Sequence, residues 1–98
     1  MRREVVLSTI AKNKLDHLLH FLESEWSAKV KRDFIKKLDN RLDQIREFPE
    51  SCPKSIEIAS LHKCVVTPQT TLYYKVSLNK IEIITLFDNR QDPLSLRN

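Results

Sequence analysis

The sequence predicts an α+β fold: an N-terminal strand, a helical hairpin, then a three-stranded antiparallel meander packed beneath the helices. Three observations predict it. Val30, Phe34, Leu38, Leu42 and Ile45 recur every three or four positions, the spacing of one buried helix face. Residues 61–67, 70–77 and 80–87 are short runs rich in β-branched and aromatic side chains, separated by turn-forming residues. Ahead of both, residues 3–7 hold a β-branched pair and an apolar end, which reads as a strand.

The elements follow in order. Ser8 or Thr9 caps a first helix in which Ala11, Leu15, Leu18, Leu19 and Leu22 share a face. Ser27 caps the second helix, and Trp26 at the joint is expected to fix the hairpin angle with its ring. Pro49 ends that helix, and Phe48 is expected to tuck back onto the core. Residues 51–60 form a connecting loop with Ile56 and Ile58 packing loosely. Pro68 sets the first hairpin turn, and Asn79 is the residue expected to turn left-handed in the second. Leu72, Tyr74 and Val76 share one face of the middle strand; Thr71, Tyr73 and Lys75 share the other. Along the last strand Ile81, Ile83, Thr85 and Phe87 alternate with Glu82, Ile84, Leu86 and Asp88. Apolar residues on both faces there predict a central strand, or one with helices over one face and a partner over the other.

Bulk properties narrow the function. Ninety-eight residues predict one domain over positions 1–98. No run approaches the roughly 20 apolar residues that span a bilayer, and Val5-Val6-Leu7 is too short for a signal peptide, so the reading is cytoplasmic. Cys52 and Cys64 lack metal spacing and are expected to be free thiols. Neither a metal nor a small-molecule cofactor is expected. The net charge of +4 lies beyond residue 26: residues 27–60 carry eight basic groups against six acidic, and residues 61–98 five against three. That bias suits a polyanionic surface or an acidic partner, and equally an ordinary solvated face. Glycine is absent, which excludes a P-loop, a dinucleotide fingerprint and a glycine nucleophile elbow.

Taken together, the N-terminal strand, Trp26-Ser27, Phe48-Pro49, Leu61-His62-Lys63, Leu72-Tyr73-Tyr74-Lys75-Val76 and the run from Ile81 through Asp88-Asn89-Arg90-Gln91-Asp92-Pro93 resemble the RelE/ParE superfamily. These are toxin halves of bacterial type II toxin–antitoxin pairs. The resemblance covers nearly the whole chain and implies a cytoplasmic toxin neutralised by a cognate antitoxin. RelE-like members cut messenger RNA on the ribosome without a metal, using basic side chains. ParE-like members inhibit DNA gyrase and lack that basic set.

Cleavage by a ribose 2′-hydroxyl needs a proton acceptor, neutralised phosphate charge and help for the leaving oxygen. By resemblance, Lys63 falls where RelE-like toxins carry a catalytic lysine, and Arg90 near the arginine after the last strand. Val65 stands at the second lysine position, Thr71 or Leu72 at the middle-strand arginine, and Leu94 and Leu96 where a tyrosine is expected. His62 is a candidate proton carrier, although a solvated or loosely packed histidine is the preferred reading. If the strand is regular, His62 and Lys63 point to opposite faces. Arg90 reads as catalytic or as a salt bridge to Asp88 or Asp92. Lys54 and Lys75 are candidate target contacts, and Tyr73 a candidate stacking platform for a base. The expected target is ribosome-bound mRNA or DNA gyrase. A module that merely binds its antitoxin is the third reading.

Overall fold

A computed structural model of the chain describes residues 3–58 and 60–90. The elements run β1 (Glu4–Leu7), α1 (Thr9–Glu25), α2 (Ala28–Glu47), β2 (His62–Thr67), β3 (Thr70–Val76) and β4 (Lys80–Asp88). Each lies within a residue or two of its expected position. The four strands form one sheet in the order β1-β4-β3-β2. The meander is antiparallel, whereas β1 pairs parallel to β4, so the sheet is mixed.

Both helices start on serine. Ser8 Oγ accepts from Ala11 N and donates to Ile84 O at 2.6 Å, joining the start of α1 to the last strand. Ser27 Oγ accepts from Val30 N at the start of α2. Replacing Ser8 by alanine removes both bonds, and the expected loss is about 1.5 kcal/mol in a denaturant titration. Ser27→Ala removes one bond and should cost about 1 kcal/mol.

The helical stripes bury as their spacing requires. Ala11, Leu18 and Leu22 of α1 and Phe34, Leu38 and Ile45 of α2 close over Cys64, Leu72, Tyr74, Ile81, Ile83 and Leu86 of the sheet. β4 is central, as its two apolar faces predicted.

Several expectations are corrected. Trp26 and Phe48 are 59% and 64% exposed, so neither ring packs the hairpin or the core. The helix joint is held instead by backbone: Trp26 N and Ser27 N both donate to Leu22 O. Ile56 projects almost wholly into solvent, and Ile58 is more exposed than loose packing implies. No described residue has positive φ, Asn79 included. The Ser77 carbonyl accepts from Arg3 Nε at 2.9 Å, and Asn79 O accepts from Glu4 N, so the N-terminal strand holds this turn open.

The strict alternation of β4 is also broken. Tyr73 pairs Thr85 while Tyr74 pairs Ile83, leaving Ile84 as an extra residue. A bulge of this kind reverses which residues face inward beyond it. Ile81 and Ile83 point to the helices before it, and Leu86 and Asp88 after it.

Candidate functional site

The bulge at Ile84 decides where Arg90 lies. With Leu86 and Asp88 turned toward the helices, Arg90 follows on the same side. It lines a cavity of about 200 Å³ with Val30, Asp33, Phe34 and Lys37 of α2. The guanidinium is held by Asp88: Nε reaches Oδ1 at 3.1 Å and Nη2 reaches Oδ2 at 2.8 Å, while Arg90 N also donates to Oδ1. Thr70 Oγ1 donates to Asp88 Oδ2. The Asp88 side chain is fully buried and that of Arg90 only 19% exposed. Burial by itself would push the Asp88 carboxyl up, but the hydrogen bonds from Arg90 and Thr70 outweigh it and hold the carboxyl below its ordinary value. The strand end therefore does not project a free arginine; it closes on a buried ion pair. Asp92, the alternative partner, lies outside the described residues, as do Leu94 and Leu96.

Lys63 lies on the opposite face. In β2 the inward positions are His62, Cys64 and Val66, so Lys63 and Val65 point away from the helices. Lys63 Nζ sits 3.3 Å from Glu57 Oε1, and the same carboxylate accepts from Ser55 Oγ and Tyr73 Oη. The hydrogen bond from Lys63, then that from Ser55, hold the Glu57 carboxyl below its usual range. Tyr73 pairs with Lys63 across the ladder, and the edge of its ring meets Phe87 at 5.9 Å and 83°. With 8% exposure Tyr73 is buried, which corrects the expectation of an open stacking platform. The exposed apolar surface here comes from Val65 and Phe87, about half exposed each, and Lys14 of α1 sets its ammonium 3.8 Å over the Phe87 ring.

His62 occupies a third place. It is buried rather than solvated, stacked on Tyr74 with ring centroids 4.9 Å apart. Its Nδ1 lies 2.7 Å from Cys52 O; a carbonyl only accepts, so Nδ1 carries the proton and Nε2 turns toward Glu50 at 3.5 Å. This ring edges a cleft of about 490 Å³ lined also by Arg3, Lys54 and Lys75. His62 pairs with Tyr74, whereas Asp88 pairs with Thr70, four residues along the same strand. At ~3.3 Å per residue, the histidine is ~13 Å from the arginine's anchor.

The fold thus gathers His62, Lys54 and Lys75 at one end of β3, puts Arg90 at the other, and sends Lys63 to the far face. Sequence reasoning missed Glu57, a loop residue with no periodic signal, and Thr70, whose inward hydroxyl at a strand start announces nothing by itself. Among the described residues no group of three or more His, Cys, Asp or Glu side chains could hold a metal ion, and no helix is long and apolar enough to cross a membrane.

A helical hairpin packed on a four-stranded mixed sheet, with β1 laid parallel beside an antiparallel meander, defines an α+β domain. The family model for the ParE toxin of the type II toxin–antitoxin system parDE matches residues 5–93, and the chain belongs to that family. Solved structures agree on the fold. The chromosomal ParDE toxin–antitoxin system of P. aeruginosa superimposes with TM-score 0.70 at 9% identity over 89% of this chain and 96% of that one. The YoeB dimer of Staphylococcus aureus gives 0.63 at 17% identity over 89% and 97%, and the E. coli DinJ-YafQ toxin-antitoxin complex 0.61 at 10% over 92% and 96%. No curated protein sequence matches the chain.

Proposed function

We propose that this toxin arrests growth by binding a protein target of the DNA gyrase kind, and not by cutting ribosome-bound mRNA. One observation carries the reading: Lys63 and Arg90, the two basic side chains a ribonuclease site would need, point to opposite faces of the sheet, and each is already held by a carboxylate. A scissile phosphate between them would have to pass through the sheet. The outer face offers Val65 and Phe87 with Lys14 at the rim, the apolar-and-cation mixture that anchors protein–protein contacts. A cognate antitoxin is the expected partner, since the DinJ-YafQ neighbour is a toxin-antitoxin complex.

Expression in a bacterial host tests the proposal. Lys63→Ala, and Arg90→Lys, which keeps a cation beside Asp88, should leave arrest within about twofold of wild type. Phe87→Glu and Val65→Glu, both at exposed positions, should each weaken it by about tenfold or more. Arrest that disappears with Lys63→Ala but survives Phe87→Glu would return the reading to ribonuclease chemistry.

A further inference from the structure

Two buried thiols face each other across the edge of the sheet. Residues 52–55 run antiparallel beside β2, with Lys54 bridging His62. Ser55 N donates to Leu61 O at 2.7 Å and Lys63 N to Pro53 O at 2.9 Å. These bonds flank the Lys54–His62 pair, which is therefore a non-hydrogen-bonded pair, and the next such pair in the same register is Cys52 opposite Cys64. Non-hydrogen-bonded pairs bring Cα atoms to ~4.5 Å, within the ~4.4–6.8 Å that a disulfide spans. The Cys52 carbonyl on His62 Nδ1 holds the loop in this position. Both side chains are buried, and both thiols are free.

We propose that Cys52 and Cys64 are a disulfide-forming pair, an oxidisable clip that fastens the loop after α2 to the edge strand. The oxidant is a small-molecule disulfide such as oxidised glutathione. Cys52, as thiolate, attacks one of its sulfurs, and the S–S bond breaks to release one glutathione thiol. Cys64, as thiolate, then attacks the Cys52 sulfur of the mixed disulfide and releases the second glutathione. The protein sulfurs lose two electrons, the small disulfide gains them, and the two cysteine protons end on the released thiols.

Burial, then the hydrogen bond that the Cys64 thiol donates to Cys52, push the Cys64 thiol up to about 12, so exchange in the native state is slow at neutral pH. The groups facing the pair are Arg41 of α2, which eases ionisation, with the Tyr74 hydroxyl and the His62 ring. Once closed, the clip fixes the loop carrying Lys54 and Glu57, and with Glu57 the ties to Lys63 and Tyr73.

The test incubates the full chain with glutathione and oxidised glutathione, both natively and during refolding from denaturant, followed by peptide mass spectrometry without reductant. The expected product is a Cys52–Cys64 cross-linked peptide pair lighter by about 2 Da, in a monomer that alkylating reagent no longer labels. Native oxidation should accelerate by about tenfold per pH unit between pH 7 and 8. The melting midpoint should rise by about 10 °C over the reduced chain. Cys52→Ser and Cys64→Ser should each remove the link and the rise. Two alkylatable thiols after refolding in the oxidising buffer, glutathione left on Cys52 alone, or a disulfide between two chains would each overturn the proposal.

Discussion

Tyr74→Ala should remove about 4 kcal/mol of folding stability, the largest loss expected of any single change in the sheet. Tyr74 is fully buried at the centre of β3, stacked on His62, and its hydroxyl donates to Pro49 O at 2.9 Å. Alanine leaves a cavity beneath α2 and unties the end of that helix at once. Domains of this size hold about 5–15 kcal/mol in total, so the variant should be partly unfolded at 37 °C. Tyr74→Phe keeps the ring and loses only the hydroxyl bond, about 1 kcal/mol.

The two variants also separate by pH. Burial, then the neighbouring Cys52, raise the Tyr74 hydroxyl well above the usual value near 10. A raised folded-state value means that the stabilisation is complete below the unfolded value and drains away as pH climbs above it. Wild type should therefore lose its advantage over Tyr74→Phe above about pH 10. Urea titrations of both proteins at pH 7, 9 and 11 check this, and a constant gap at all three would refute it.

Asp88→Asn is the second large effect, about 2–3 kcal/mol at pH 7, because it leaves a mostly buried guanidinium without its anion. Here the folded-state value is depressed. The contribution is present above the unfolded carboxylate value near 3.9 and is lost as pH falls through the folded one. Wild type and variant should converge as pH falls below the unfolded carboxylate value near 3.9 and through the lower folded one. Thermal melts from pH 7 down to 2.5 measure the convergence. A gap that persists at the acid end would mean that Asp88 acts through shape and not through charge.

Helix periodicity made most of this fold readable in advance. The stripes of α1 and α2 bury just the residues that recur every three or four positions, and the serine caps mark where each helix begins. What periodicity cannot carry is which strand lies beside which. β1 found its partner in β4, some 75 residues away, through a parallel register that no local pattern encodes.

The site suffered most from one inserted residue. Strict alternation along β4 would have turned Phe87 to the helices and Arg90 to the outer face, on the side of Lys63. Ile84 bulges out, parity reverses, and Arg90 swings under α2 while Phe87 emerges into solvent. Alternation placed Tyr73 on the face opposite Tyr74, but there its ring meets Phe87 and its hydroxyl is satisfied by Glu57. At His62 a buried carbonyl partner, supplied by a loop ten residues away in sequence, could not be foreseen.

The most direct measurement maps RNA ends and plasmid topology together in cells arrested by the wild-type toxin. A sheet that keeps Lys63 and Arg90 on opposite faces predicts intact messages and altered supercoiling. Messages cut within their reading frames, alongside unchanged supercoiling, would contradict it.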